Sequence, residues 1–165
     1  MRRILITLCG ALALLVGVSP AAAAAPLREP YDPGTLTFGA GDVCAFELEL
    51  ETIDNRAHQL VFPEDANGSV RIKVNGRYLT RATNLESGES IVLHAFGPAT
   101  LLAHPDGSMD ISASGQSVLY FFPGDAIEGL WLATGRYQAH LSAENIITSA
   151  RVRGQMLDLC AALTP

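Results

Sequence analysis

Hydrophobic and polar residues alternate with a period of two along most of the chain from Val43 to about residue 153. Cys44, Phe46, Leu48 and Leu50 fall on one side of an extended segment, and Glu47, Glu49 and Glu51 on the other. Val70, Ile72 and Val74 alternate with Arg71 and Lys73, and Met109, Ile111 and Ala113 with Asp110, Ser112 and Ser114. A strand places successive side chains on opposite faces, so this pattern predicts half-buried β-strands with one wet side.

Turn chemistry punctuates the alternation. Asn75-Gly76 suits a two-residue hairpin, Gly97-Pro98 a chain reversal, and Thr134-Gly135 a turn between two strands. Glu86 to Ser90, Pro105-Asp106-Gly107, Pro123-Gly124-Asp125 and Glu144-Asn145 supply further turns. Residues 117–122, SVLYFF, have few polar positions and read as a strand covered on both faces. Strict alternation stops after Gly154, and residues 155–163, QMLDLCAAL, read as a short terminal helix. The sum is an all-β antiparallel meander of about nine to ten strands. It is expected to close as a β-barrel, which removes exposed edges, with a two-sheet sandwich as the alternative.

The first residues change the picture of where the chain works. Two arginines, an apolar run from Ile4 to about Val18, then Pro20 and small residues are the layout of a secretory signal, with cleavage expected after Ala24. The run is too short for a permanent span, so stable membrane insertion after cleavage is not expected. Residues 25–41 hold Pro26, Pro30, Pro33, Gly34, Gly39 and Gly41 and read as an extended leader, which leaves residues 42–165 as one β-domain.

The signal segment contains two of the 11 basic residues and none of the 17 acidic ones, so the remaining chain carries a formal charge of −8. Such a balance argues against nucleic acid and anionic lipid as partners. Two cysteines remain, Cys44 and Cys160, and in an oxidising compartment they are expected to pair, the alternative being two buried thiols.

Candidate chemistry is sparse. Among His58, His94, His104 and His140 no two share a strand at i, i+2 spacing, so no metal site is expected. A hairpin at Gly97-Pro98 would set His94 near Leu101 and His104 near Ile91. Glycine-elbow serine and phosphate-loop motifs are lacking, so no catalytic residue is assigned and no cofactor is expected. The aromatic residues Tyr120, Phe122, Trp131 and Tyr137 form the candidate pocket for an apolar ligand. NGRYL at 75–79 and TGRYQ at 134–138 echo each other, each a glycine followed by Arg and Tyr.

The segment from TNLESGES (residues 83–90) through the GP, DGS, PGD and TGR stretches to the late DLC resembles a family of small secreted actinobacterial proteins without an assigned activity. The resemblance spans about residues 43–163. It implies export, β-architecture and the disulfide, and it carries no catalytic residue across. From the compact disulfide-closed meander and the aromatic set, the expected function is a non-catalytic extracellular β-domain that binds a small apolar molecule or a cell-envelope component. The alternative is a barrel-type hydrolase or isomerase using a histidine with a carboxylate.

Overall fold

The computed structural model describes residues 25–165, and the predicted signal segment, residues 1–24, lies outside the described residues. The chain forms β1 (Leu27–Pro30), β2 (Thr35–Phe38), β3 (Leu48–Asn55), β4 (His58–Val61), β5 (Val70–Asn75) and β6 (Arg77–Asn84). It continues through β7 (Ser90–Phe96), β8 (Ala99–Ala103), β9 (Met109–Phe121), β10 (Gly129–Leu141) and β11 (Ile147–Asp158) to the helix α1 (Leu159–Ala162). All eleven strands belong to one antiparallel sheet. The sheet is not closed into a barrel: β1 and β2 at one margin and β11 at the other each pair on one side only.

Three expected reversals are bends within strands. β5 and β6 are separated by Gly76 alone, and both pair in one register with the β7–β8 pass, Val74 opposite Ala99 and Arg77 opposite Phe96. β7 and β8 in turn lie along β9, with Phe96 opposite Gln116 and Ala99 opposite Ala113, so Gly97-Pro98 does not reverse the chain. Thr134-Gly135 lies inside the unbroken β10. The meander is therefore seven long passes, several of them kinked near the middle.

The kinks line up. Gly76 accepts from the Gly97 amide, Gly97 faces Gly115, Gly115 pairs with Gly135, and Gly135 pairs with Gly154. All five have φ between +99° and +152°, a region closed to most side-chain-bearing residues. A Cβ on Gly97 would sit 1.9 Å from the Ser114 carbonyl oxygen, and one on Gly115 would sit 2.3 Å from that of Phe96. Neighbouring backbones thus approach so closely along this row that only hydrogen fits.

The row divides the sheet into two leaves. The upper leaf holds β1, β4, β5, β8, the first half of β9, the second half of β10 and most of β11. In the lower leaf β7 leaves β9 after the Phe96–Gln116 pair, so β2, β3, β6 and β7 curl over the end of the β9–β10 hairpin. The folding back is documented by a clasp. Residues 122–128 join β9 to β10 at one end of the hairpin, yet the Ala126 amide donates to the Ile147 carbonyl at 2.8 Å. The Ile147 amide donates to Asp125 Oδ1 at 2.7 Å, although Ile147 lies beside the opposite end of β10.

Burying alternate side chains across this fold makes two cores. One joins Phe38, Phe46, Leu48, Leu50, Ala82 and Leu93 to Leu130 and to Leu159 and Leu163 at the chain end. The other lies inside the bend of β9, β10 and β11 around Phe121, Tyr137 and Ala139. Cys44 and Cys160 form a disulfide with 5.5 Å between their Cα atoms. Cys44 is buried as the alternation requires, though it precedes β3 and is not in a strand.

Other differences are local. The helix is one turn, capped by Asp158 Oδ1 accepting from the Ala161 amide at 3.0 Å, and residues 155–158 stay in β11 because they still pair with β10. The leader contributes β1 and β2, margin strands where proline costs no ladder bond on the outer side. In residues 117–122, Phe121 is buried while Tyr120 and Phe122 are exposed.

Candidate functional site

Two places on the molecule gather chemistry. The first is an apolar cleft inside the bend. A cavity of about 470 Å³ is lined by Tyr31, Val118, Leu119, Tyr120, Phe121, Phe122, Tyr137, Leu141 and Ile147, with Asp125 and Asn145 at its rim. A neighbouring void of about 180 Å³ shares Tyr31, Ile111, Val118, Leu119 and Tyr137 with it and runs beneath Gly76 and Gly97. Tyr120, Phe122 and Tyr137 of the sequence-derived set line the cavity. Trp131 does not: its Nε1 donates to the Glu128 carbonyl at 2.8 Å and its ring packs in the second core.

The repeated Gly-Arg-Tyr explains part of this lining. Gly76 and Gly135 occupy the bend row, the arginines point outward, and Tyr78 and Tyr137 point inward, both against the smaller void and Tyr137 against the larger one as well. Tyr31, in the segment that the sequence predicts as a leader, has its ring centroid 6.3 Å from that of Tyr78, with the two planes tilted by 52°. Burial pushes the Tyr137 phenol up to about 12, with the Asp125 charge adding to the shift. Tyr78 is pushed up to about 12, mainly by burial and further by Tyr31 and Tyr120, and Tyr31 is raised for the same reason. These phenols therefore remain neutral hydrogen-bond donors at physiological pH. Among the described residues none of the four tyrosine hydroxyls is engaged by another protein group. The cleft thus offers apolar walls with a few unspent donors, the usual composition of a small-molecule site.

The second place is a shallow groove of about 580 Å³ on the outer face of the upper leaf, lined by polar and apolar side chains together. His104 Nε2 lies 2.9 Å from Asp110 Oδ2, and His140 Nδ1 lies 2.8 Å from Asp110 Oδ1. An ionised carboxylate only accepts, so both imidazoles donate to it. The His140 bond, then the His104 bond, holds the Asp110 carboxyl below the usual carboxylate range. His104 and His140 converge because the β9–β10 hairpin sets Asp110 opposite His140. His94 stays apart, paired with Leu79 on β6, and neither of the expected neighbours Leu101 and Ile91 is opposite a histidine. Ser69 Oγ is 3.5 Å from His104 Nδ1, but Ser69 is buried.

Among the described residues no group of three or more His, Cys, Asp or Glu side chains is arranged to hold a metal ion. No helix among them is long and apolar enough to cross a membrane. No family model, curated protein or solved structure matches the chain.

Proposed function

We propose that the protein is an exported, disulfide-closed β-domain that binds a small, mainly apolar molecule in the cleft inside the sheet bend. The observation that carries this reading is the cavity of about 470 Å³ walled by aromatic and aliphatic side chains and fringed by unengaged tyrosine hydroxyls. Its size lies within the range of small-molecule sites, roughly 300–1,000 Å³. A ligand with an apolar body and one or two acceptors satisfies both the walls and the hydroxyls. The disulfide is consistent with an oxidising, extracellular setting.

The test is titration with the apolar fluorophore N-phenyl-1-naphthylamine. Emission rises on binding to the wild type, and Ile111→Trp, which fills the junction of the two voids, abolishes the rise while leaving the circular dichroism unchanged. No rise in the wild type, or an equal rise in a folded Ile111→Trp, refutes the reading.

One observation favours a second reading, a hydrolase or isomerase. Asp110 engages His140 Nδ1, which leaves Nε2 as a free acceptor over the groove, the tautomer a general base requires. Ester turnover that vanishes in His140→Gln would support it. Activity no greater than that of free imidazole at equal concentration would end it.

A further inference from the structure

The net negative charge conceals a strong segregation. On the outer face of the upper leaf, cross-strand pairs run Arg28–Leu60, Leu60–Lys73, Lys73–Thr100, Thr100–Ser112, Ser112–Gln138 and Gln138–Arg151. The adjacent rows on the same face add Arg71 on one side and the Arg136–Arg153 pair on the other. Arg28, Arg71, Lys73, Arg136, Arg151 and Arg153 are all exposed. They are six of the nine basic residues of the chain after the signal. The three rows contain one carboxylate, Asp110, and it is bound by two imidazoles. Among the described residues none of the six cations forms an ion pair.

We propose that this face is a docking surface for a carboxylate-bearing polysaccharide. Strands about 4.8 Å apart spread the cations over roughly 25–30 Å, which suits a polymer better than a single small anion. Unpaired guanidinium groups donate to carboxylates in a bidentate fashion. Thr100, Ser112 and Gln138 stand between them with hydrogen-bonding groups suited to sugar hydroxyls. Nucleic acid fits less well, because single strands need aromatic platforms. Among the described residues on these rows the one Phe, Tyr or Trp ring is that of Phe62, and it is covered by the Arg71 guanidinium at 4.3 Å. A lipid surface also fits less well, since none of the exposed large hydrophobic residues falls on these rows. The inference is independent of the apolar cleft.

The experiment is calorimetric titration of the disulfide-intact protein with oligogalacturonate at about 50 and 200 mM salt. Binding is expected at low salt and should weaken steeply at the higher concentration, while dextran of similar length gives none. The triple variant Arg136→Gln, Arg151→Gln, Arg153→Gln should lose affinity by at least about tenfold. The corresponding triple Lys variant keeps the charge without the bidentate fork and should bind more weakly than the wild type but more tightly than the Gln triple, and Arg77→Gln, on the lower leaf, should leave binding unchanged. Absence of binding to oligogalacturonate at low salt overturns the proposal. Equal affinity of the Gln triple and the wild type does so as well. So does tighter binding to oligothymidylate or to phosphatidylglycerol vesicles.

Discussion

Replacing Gly115 by alanine tests whether the aligned glycines are a structural necessity. Gly115 has φ +99°, and its added Cβ would lie 2.3 Å from the Phe96 carbonyl oxygen and 3.2 Å from the Gly97 Cα. Gly88, in the turn between β6 and β7, has φ +79° and open space around the same position. Both substitutions force a side-chain-bearing residue into left-handed backbone, costing about 1–2 kcal/mol. In Gly88→Ala that is the whole effect. In Gly115→Ala the obstacle is backbone on the paired strand, so either β9 or the β7–β8 pass must move by about an ångström. That displacement breaks or stretches the ladder on both sides of the row, at about 1–3 kcal/mol for each buried group left unpaired. The expected totals are about 1–2 kcal/mol for Gly88→Ala and about 4 kcal/mol or more for Gly115→Ala, a size rarely seen for one added methyl.

Urea unfolding followed by circular dichroism, with both variants measured beside the wild type, gives the difference directly from the midpoints at a common slope. In a domain of this size the same gap appears as roughly 10 °C in melting temperature. Loss of the slope as well as the midpoint would show that the native state itself has loosened. If the two variants differ by less than about 1 kcal/mol, the bend tolerates a side chain and the argument from the glycine row is wrong.

Three further outcomes follow from the same contacts. The Cys44–Cys160 bridge spans 116 positions. The chain-entropy relation therefore gives a loss of about 4–5 kcal/mol in a Cys44→Ser, Cys160→Ser double variant, read by urea midpoint against the oxidised protein. Asp125→Ala should remove the acceptor of the Ile147 and Phe122 amides and cost about 1–2 kcal/mol, with hydrogen exchange at Ile147 rising before that of the β9–β10 ladder. The Asp110 carboxyl is held below its unfolded value. Its stabilising contribution is therefore complete above the ordinary carboxylate pKa and is lost as pH falls through the lower folded one. Comparing wild type with Asp110→Asn, the difference in melting temperature should shrink on acidification below about pH 4, and it should be small throughout because these hydrogen bonds are exposed.

The alternation was legible because it depends only on which side chains meet water, and it held wherever it was strict: Met109, Ile111 and Ala113 face in while Asp110 and Ser112 face out. The turn motifs also have structural tasks. Asn84 Oδ1 accepts from the Glu86 and Ser87 amides while its Nδ2 donates to the Leu163 carbonyl, Asp106 accepts from Ser108, and Asp158 caps the helix. What misled was glycine. A hairpin turn and a bend inside a strand both demand positive φ, so Asn75-Gly76 and Thr134-Gly135 satisfy the local requirements of either. Only pairing across distant passes decides between them. The available signal was spacing, since Gly76, Gly97, Gly115, Gly135 and Gly154 recur about every twenty residues, with a separate turn between each pair.

The same ambiguity at Gly135 separates the histidines from Asp110 in the sequence. With a turn placed at Gly135, Asp110 and His140 belong to different hairpins; with β10 continuous, they stand directly opposite and His104 reaches the same carboxylate. Net charge hides the basic face for a related reason. A formal sum over the chain weighs every residue equally, whereas the period of two sends Arg71 and Lys73, or Arg151 and Arg153, to one side together. Each such pair is visible in sequence, but whether four strands present their cations to the same water depends on register. Once the passes are continuous, parity fixes the answer: every even-numbered position of β9 and β10 above the bend lies on the outer face, and so do the residues paired with them. An acidic protein can in this way carry a basic face, and the glycine row that folds the aromatic residues around a cleft is the same feature that leaves that face outside.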